Sequence, residues 1–549
     1  MSAITADPQQ GSAAGERGPL RGRWVWPAGY LAAAVLLFLC YLRLSGTQPV
    51  TSDPATIALQ AWDMLHGNWL LTGWSLADVT FYTTELPEYI LVEIFRGLGP
   101  ADVHIAAALT YTLLVVLASL LAKGRATGTE GLVRVAIAAG IMIAPQVGHG
   151  VFVLLNGPDH TGTGVPVLLI WLVLDRAPRR PWVPVLIGLM LTWTLVGDQV
   201  ALMTAVVPIA LVTLVRAYRQ IIVRREPAMD SWYELSLAAA AVVSVGLSSL
   251  IVSLIRHLGG YTMQPGPSVF STVDSMSTHF WWTVQGVLAL FGADFFGLKL
   301  GHSTALVFLH LAGLALAVTA VALGVRRFFR DDDMITGGLT AAILINLALY
   351  MFSQVPVSIW SAREIAFILP AGAVLAGRTL AGPAIRARLL PLLGVIGLGY
   401  LVALGYGVTR QQHPAEGQDL ADWLAAHHLS YGLSGYGFGP TTTLASGGQV
   451  QLRQATWLPD RIAPGPEEQY SGWYDPRQHD ANFVVAPVTP KSPDPFTQAQ
   501  VTRIFGQPTH VYHVGTQFIV MTYGYNLLTL SLSLSTTSSR PGDAEVVYG

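Results

Sequence analysis

The sequence predicts a polytopic α-helical membrane protein with about eleven transmembrane helices and a C-terminal extracytoplasmic α/β domain. The first observation is composition: 52% of the 549 residues are hydrophobic and 12% are charged, whereas soluble proteins carry roughly 25% charged residues. The second is a series of long apolar runs, and the third is a set of arginine clusters that recur in alternate loops. A soluble fold of this composition could not cover its surface with polar groups.

Eleven apolar segments are candidate spans. The first follows a polar tail (1–23) and is too long for a cleaved signal peptide, so we expect an anchor. Several later segments fall short of the ~20 residues that a lipid-facing helix needs, which is tolerated where neighbouring helices shield them. The segments are 24–44, 101–122, 135–147, 164–174, 182–197, 200–215, 235–255, 303–325, 335–352, 364–381 and 389–408.

Arginine placement predicts the orientation. Basic residues collect in every second loop, for example Lys123 to Arg134, Arg216 to Arg225, and Arg378 to Arg388. Because cytoplasmic loops carry the excess of Lys and Arg, the N-terminus is expected inside and everything after residue 409 outside. The predicted units are the tail 1–23, a transmembrane domain 24–408 with a large first outer loop (45–100), a soluble domain 409–530, and a disordered tail 531–549.

The soluble domain has helix and strand patterns. Residues 419–428 place Leu420 and Leu424 on one helical face. A strand is expected over 483–485, and 510–514 with 517–523 form a predicted hairpin around Gly515-Thr516. The domain is therefore expected to be α/β.

Two classes of site are unsupported by the sequence. The only cysteine, Cys40, allows neither a disulfide framework nor a cysteine metal site. No glycine-rich phosphate loop and no basic aromatic patch occurs, so neither a bound nucleotide nor a nucleic-acid partner is expected.

Acidic residues gather in the predicted outer loops, where ionisable groups near a membrane suggest function. After the first span, Ser52 or Asp53 is expected to cap a helix that begins near Pro54. Asp53 is either only such a cap or also a general base, and the two roles are compatible. That helix carries Ile57, Ala61 and Leu65 on one side, which predicts that it lies flat on the membrane.

Further candidates come from three other outer segments. Asp159 and His160 are one candidate pair, and their alternative role is to form a turn and cap the next helix. Arg363 is another candidate, and its alternative role is to pair with its neighbour Glu364 at a helix end. Asp198 is expected to cap a span, and Trp360 to belong to the interfacial aromatic belt.

Three segments resemble the C-type (GT-C) glycosyltransferases, which include protein mannosyltransferases and the lipid A aminoarabinose transferase. They are Asp53 with the "IALQAWDMLHGNWLL" and "YTTELPEYILVEIF" runs, "APQVGHGVFVLLNGPDHTGTG", and "SAREIAFILPAGAVLAGR". Where aminoarabinose transferases have a basic residue before a proline pair, this chain has Glu85-Leu86-Pro87. The strong preference for arginine over lysine also resembles actinobacterial membrane proteins.

This resemblance implies an inverting glycosyltransferase of the plasma membrane. It would move a sugar from a polyprenyl-phosphate donor to a cell-envelope glycan, lipid or protein. Asp53 would be the catalytic base, and Glu85, Asp159, His160, Arg363 and Glu364 would bind the donor phosphate or the acceptor. A divalent cation at Asp159 and His160 is an additional hypothesis.

Two other classes of function remain open at this stage: a transporter or flippase of lipid-linked saccharide, and a non-catalytic envelope scaffold. A transporter is typically marked by mid-span ionisable residues and by paired broken helices in two related halves. Here the acids lie at outer ends and the proline-broken spans lie in the first half. The pattern favours the enzyme.

Overall fold

A computed structural model describes residues 21–264, 266, 269–299, 301–328, 330, 333–458, 462–465, 468–489 and 497–531. Most of the predicted N-terminal tail, and the predicted disordered tail beyond Ser531, lie outside these residues. The helices of the first part are α1 Arg21–Ser45, α2 Ser52–Leu65, α3 Leu86–Arg96, α4 Pro100–Lys123, α5 Gly128–Met142, α6 His149–Leu155, α7 Gly164–Arg176, α8 Trp182–Gly197, α9 Val207–Tyr218, α10 Trp232–His257, α11 Met276–Leu290, α12 His302–Phe328, α13 Met334–Phe352, α14 Ile368–Leu380 and α15 Pro383–Val408.

The later helices are α16 Gln418–Ala426, α17 Gly439–Ala445, α18 Gln498–Phe505 and α19 Leu528–Ser531. The strands are β1 Trp74–Leu76, β2 Thr262–Met263, β3 Tyr431–Ser434, β4 Gln451–Trp457, β5 Ile462–Pro464, β6 Gln469–Tyr470, β7 Phe483–Pro487, β8 His510–Val514 and β9 Phe518–Thr522.

The chain is a multi-pass membrane protein. Among the described residues, seven helical segments are long and apolar enough to cross a bilayer. They are Ala28–Ser45, Pro100–Lys123, Leu202–Val223, Met229–His257, Thr304–Phe328, Met334–Phe352 and Pro391–Val408. Helix α8 is apolar but shorter. The predicted fold class is confirmed at this level.

The shortest predicted spans, 135–147 and 164–174, overlap with the helices α5 and α7. The helix within predicted span 364–381 is also short, and the protein itself shields it. Helix α14 has 13 residues, of which all but Arg378 are buried. It packs against α4, α5, α12 and α13, so lipid need not cover it. Short helices of this kind are tolerated where other helices surround them. Helix α11 was not predicted; it lies between the predicted spans 235–255 and 303–325.

The first outer loop differs from the prediction in one respect. Helix α2 does not lie on a membrane surface, because Ile57 and Ala61 are buried and the helix packs against α3, α4 and α17. Helix α3 instead has an apolar outer face, with Leu91, Ile94 and Phe95 exposed. That i, i+3, i+4 spacing is typical of a helix that rests on lipid.

The C-terminal region contains a six-stranded sheet in the order β5-β4-β3-β7-β9-β8. Strand β3 runs parallel to β4 and β7, whereas β8 and β9 form an antiparallel hairpin. The predicted helix is α16, the predicted strand is β7, and the predicted hairpin is β8–β9. An α/β region therefore follows the membrane helices, as expected.

The C-terminal domain and the first outer loop form one packed unit. Strand β1 of the outer loop pairs antiparallel with β6, matching Trp74 with Tyr470, and parallel with β2. One hydrophobic cluster joins Ile57 and Trp74 of the loop with Tyr431 and Trp473 of the C-terminal domain. The C-terminal domain is therefore held against helix α2 of the first outer loop.

The loops predicted to be cytoplasmic gather at one place. Arg378 Nη1 lies 3.0 Å from Asp175 Oδ1, and Arg179 and Arg216 lie 3.1 and 3.2 Å from Glu234 Oε1. Helix α4 ends near this cluster. It begins beside the C-terminal domain and is about 36 Å long at 1.5 Å per residue. The loops with the arginine clusters thus lie at one end of α4, and the first outer loop and the C-terminal domain lie at the other.

Candidate active site

Arg363 lies between two carboxylates that are far apart in the sequence. Its Nη1 atom is 3.0 Å from Asp53 Oδ2 and 3.4 Å from Asp159 Oδ2. The Asp159 side chain is 2% exposed, that of Arg363 is 18% exposed and that of Asp53 is 29% exposed. Three residues selected from the sequence therefore meet in one site, and Asp53 is the most accessible of them. Arg363 does not pair with Glu364.

Trp360 completes this arrangement. Residues Trp360–Ile365 form a 3₁₀ helix, in which side chains at i and i+3 lie above one another. The Arg363 guanidinium therefore stacks on the Trp360 ring, 4.4 Å from its centroid, and the indole Nε1 donates to Asp53 Oδ2 at 3.0 Å. Trp360 is a site residue rather than a member of the aromatic belt.

Asp53 is not a helix cap. The N-cap of α2 is Thr51, and Asp53 lies in the first turn of the helix. Its second oxygen, Oδ1, accepts a hydrogen bond from the Tyr436 hydroxyl at 2.8 Å. The loop that carries Asp159 reaches this turn because Gly157 has no side chain: a Cβ there would lie 2.8 Å from Pro54 Cβ.

His160 forms the second half of the site. Its Nδ1 lies 3.0 Å from Asp198 Oδ2 and its Nε2 lies 2.9 Å from Glu364 Oε1. The residue has a φ of 57°, a left-handed conformation that is uncommon outside glycine. Asp198 also accepts from Val200 N at 2.8 Å, so it caps the following segment as predicted and in addition binds the histidine.

Glu85 holds the loop that carries Asp159 and His160. It is fully buried, and its Oε1 accepts hydrogen bonds from Thr163 N at 3.1 Å and from Thr163 Oγ1 at 3.2 Å. Gly162 allows this approach, because a Cβ there would lie 2.9 Å from Glu85 Oε1. Burial separates Glu85 from any substrate. Its position holds the backbone that carries Asp159 and His160.

The charges set the protonation of these groups. Burial alone would raise the pKa of Asp53, but Arg363 and the hydrogen bonds from Tyr436 and Trp360 lower it below its usual value. Asp159 is different. Burial raises the pKa of Asp159 to about 6, despite the Arg363 charge. Asp53 is therefore ionised at neutral pH, as a general base must be.

His160 is held as a cation. Burial alone would lower its pKa, but the charges of Glu364 and Asp198 outweigh burial, so the pKa of His160 lies well above its usual value. Each half of the site therefore has one cation between two acids.

The predicted metal site does not fit this arrangement. Among the residues that the structure describes, no group of three or more His, Cys, Asp or Glu side chains is arranged so that it could hold a metal ion. Both ring nitrogens of His160 already contact carboxylates, and Asp159 Oδ2 already contacts Arg363. Arg363 itself lies where a cation would bridge Asp53 and Asp159.

A cleft borders the second half of the site. Its volume is about 410 Å³, and its walls come from α8, α10 and the 78–80 segment. Val245 and Leu202 give it an apolar side, whereas Ser248 and Arg256 are polar. Gly197, next to Asp198, lies on its inner wall. Asp53, Asp159 and Arg363 are not on its wall.

A pH-dependent stability effect follows from Asp159. A carboxyl group with a raised folded-state pKa stabilises the protein fully below its unfolded pKa, near 3.8, and this contribution is lost as the pH rises through about 6. We expect the wild type to lose on the order of 2 kcal/mol relative to Asp159→Asn between pH 4 and 7. Thermal unfolding at several pH values measures this difference, and the exposed Asp419→Asn is the control. Parallel curves for the wild type and Asp159→Asn would contradict the prediction.

No protein-family model matches the sequence, and no curated protein matches it. Among solved structures, the chain is similar to ArnT from Cupriavidus metallidurans bound to undecaprenyl phosphate, at 14% identity and a TM-score of 0.53. That alignment covers 92% of this chain and 99% of ArnT.

A second similar structure is the Archaeoglobus fulgidus oligosaccharyltransferase tethered with an acceptor peptide. Its TM-score is 0.46 at 12% identity, and the alignment covers 85% of this chain and 70% of that one, a likeness too weak to build on. ArnT is an aminoarabinose transferase of the GT-C superfamily, so the similarity expected from the sequence is confirmed at the level of the fold. The chain has the fold of ArnT.

Proposed function

We propose that this protein is a membrane glycosyltransferase that moves a sugar from a polyprenyl-phosphate donor to an acceptor on the outer face of the plasma membrane. The observation that carries the proposal is the convergence of Asp53, Asp159 and Arg363. A partly exposed, ionised carboxylate that is oriented by several hydrogen-bond donors is suited to general-base catalysis. The ArnT fold supports the same function, because the ArnT structure contains undecaprenyl phosphate.

The proposed reaction is a single displacement with inversion at the sugar carbon. Asp53 accepts the proton of an acceptor hydroxyl while that oxygen forms a bond to C1 of the sugar. The bond from C1 to the phosphate oxygen breaks, and its electrons leave with the lipid phosphate. Arg363 holds Asp53 in place. Because Arg363 also contacts Asp159, a metal ion is not needed to neutralise the two carboxylates.

The phosphate of the donor needs a cation on the lipid side of the site. Arg363 is one candidate, but its guanidinium already contacts two acids, so a phosphate would have to share it. Arg256 is the second. It is exposed on the wall of the 410 Å³ cleft and has no ion-pair partner among the described residues. The apolar wall beside it suits a polyprenyl chain.

Asp159, His160 and Glu364 are proposed to shape the acceptor side. Asp159 Oδ1 is buried and has no hydrogen-bond partner among the residues that the structure describes, and Glu364 is partly exposed beside His160. A hydroxyl group of a glycan can pair with the partly exposed Glu364, whereas the buried Asp159 acts through its contact with Arg363. Neither a transporter nor a scaffold is favoured, because neither accounts for a carboxylate held in this way.

We also propose the orientation and the boundaries inferred from the sequence. The eleven spans place the N-terminus in the cytoplasm and residues 409–530 outside, with 24–408 as the transmembrane domain. The gathering of Arg179, Arg216 and Arg378 at one end of α4 supports this, since cytoplasmic loops are basic.

Replacing the base tests the central claim. In Asp53→Asn the amide cannot accept the proton, so we expect sugar transfer to fall by about 10²- to 10⁴-fold with an unchanged yield of folded protein. Transfer from a polyprenyl-phosphate sugar in proteoliposomes measures this. Asp480→Asn, at an exposed position of the C-terminal domain, is the matched control. Full activity in Asp53→Asn would remove Asp53 as the base.

The donor phosphate can be located by binding. We expect Arg256→Ala to weaken undecaprenyl-phosphate binding by roughly tenfold, because a charge-assisted hydrogen bond is lost. We expect Arg363→Ala to weaken it too if the phosphate shares that guanidinium. Titration of protein in nanodiscs measures the affinity, and the exposed Arg410→Ala is the control. Wild-type affinity in both variants would place the phosphate elsewhere.

The side of the membrane on which each loop lies can be measured by labelling single cysteines introduced into a Cys40→Ala variant. A cysteine at the exposed Gln449, near Ser446, is expected to react with a membrane-impermeant maleimide in intact cells. A cysteine at Arg125, in a predicted cytoplasmic loop, is expected to react only after permeabilisation. The reverse pattern would invert the topology and place Asp53 on the cytosolic side.

A further inference from the structure

The C-terminal domain reaches into the site through one residue. Tyr436 lies between β3 and α17, and its hydroxyl donates to Asp53 Oδ1 at 2.8 Å across 383 residues of sequence. Its backbone is fixed as well, since Ser52 Oγ donates to Tyr436 O at 2.7 Å. The loop is therefore bound to the first turn of α2 by both side chain and main chain.

We propose that the C-terminal domain completes the active site by supplying Tyr436 as a positioning residue for Asp53. The inference rests on the proposed function, in which Asp53 is the base. It assigns to the soluble domain a direct part in the chemistry, in addition to any part in acceptor recognition.

The hydrogen-bond geometry carries this assignment. Asp53 Oδ2 receives donors from Arg363 and Trp360, at 3.0 Å each. With those contacts alone, the carboxylate could still rotate and carry Oδ1 away from the reacting hydroxyl. A donor on Oδ1 fixes the carboxylate from its other side. Held in this way, a base remains in the orientation that proton transfer requires.

The position of Tyr436 is itself rigid. The pairing of β1 with β6 joins its domain to the outer loop, and Ser471 N donates to Gly73 O at 2.8 Å beside that pairing. The shared hydrophobic cluster covers the same contact surface. The backbone of Tyr436 can therefore move away from Asp53 only if the domain separates from the loop.

Glu468 extends the arrangement. The Tyr436 hydroxyl also contacts Glu468 Oε2, yet a phenol has one proton to donate. If Tyr436 donates its proton to one carboxylate, its contact with the other is a hydrogen bond only when that other carboxyl group is protonated and donates to the Tyr436 oxygen. Arg363 and Trp360 favour an ionised Asp53, which leaves the second proton on Glu468. The remaining charged group near Asp53 is Asp159.

The kinetic test compares Tyr436→Phe with Tyr470→Phe. Tyr470 belongs to the same interface, and its hydroxyl makes no hydrogen bond within the described part of the chain. We expect Tyr436→Phe to lower kcat about tenfold and leave the acceptor KM within about twofold. The lost donor no longer favours the ionised carboxylate, so the acidic limb of the pH profile should move up by roughly one pH unit. A structural loss alone would lower the rate equally at every pH.

A second measurement needs no activity. A carbodiimide couples protonated carboxyl groups to an added amine, and mass spectrometry of the Asp53 peptide gives the pH midpoint of coupling. We expect this midpoint to rise by about one pH unit in Tyr436→Phe and to stay unchanged in Tyr470→Phe. Glu468→Gln, which imitates a protonated Glu468, should keep the wild-type midpoint. If the coupling midpoint of Glu468→Gln rose as in Tyr436→Phe, the proposal that Glu468 is protonated would be wrong.

The two hypotheses fail separately. If Asp53→Asn keeps full transfer activity, the proposed function fails, and the coupling midpoint still decides the contact between Tyr436 and Asp53. If Asp53→Asn is inactive while Tyr436→Phe has a wild-type pH profile and midpoint, the positioning role of Tyr436 is wrong.

Discussion

The Arg363 guanidinium is the interaction on which the candidate site depends. It joins α2, the loop after α6 and the 3₁₀ helix before α14, three segments with no other reason to bring acids together. Two carboxylates this close to one another, one of them buried, would repel. Loss of one partner from a buried ion pair typically costs about 3–5 kcal/mol. The cation therefore stabilises the fold and the site together.

The second half of the site also has one cation between two carboxylates. His160 lies between Asp198 and Glu364 as Arg363 lies between Asp53 and Asp159. Two cations thus face four acids, with Glu85 buried beneath them. Burial and the nearby Asp198 raise the pKa of Glu85 well above its usual value. Burial likewise raises the pKa of Asp159, the more buried partner of Arg363, whereas Arg363, Tyr436 and Trp360 lower the pKa of Asp53 below its usual value.

The shared hydrophobic cluster gives the C-terminal domain its place. Without it, Tyr436 would belong to a tethered soluble domain whose distance from Asp53 varied. With it, Trp74 and Trp473 pack edge to face at 5.1 Å, and the first outer loop and the soluble domain form one body. The Asp53 carboxylate then accepts hydrogen bonds both from Arg363 and Trp360, in the segment before α14, and from Tyr436 of the C-terminal domain.

The sequence by itself determined the membrane class, the positions of most helices, the α/β nature of the C-terminal region, and Asp53, Asp159, His160 and Arg363 as site candidates. Composition and hydrophobic periodicity are local properties, and outer-loop acids stand out against apolar spans. Tertiary structure alone decided that Asp53 binds Arg363 instead of capping α2, that Trp360 and Asp198 serve the site, and that Tyr436 reaches it. The donors to Asp53 lie more than 300 positions from it in the sequence, and Asp198 lies 38 positions from His160, so no local pattern encodes which distant partner satisfies a given side chain.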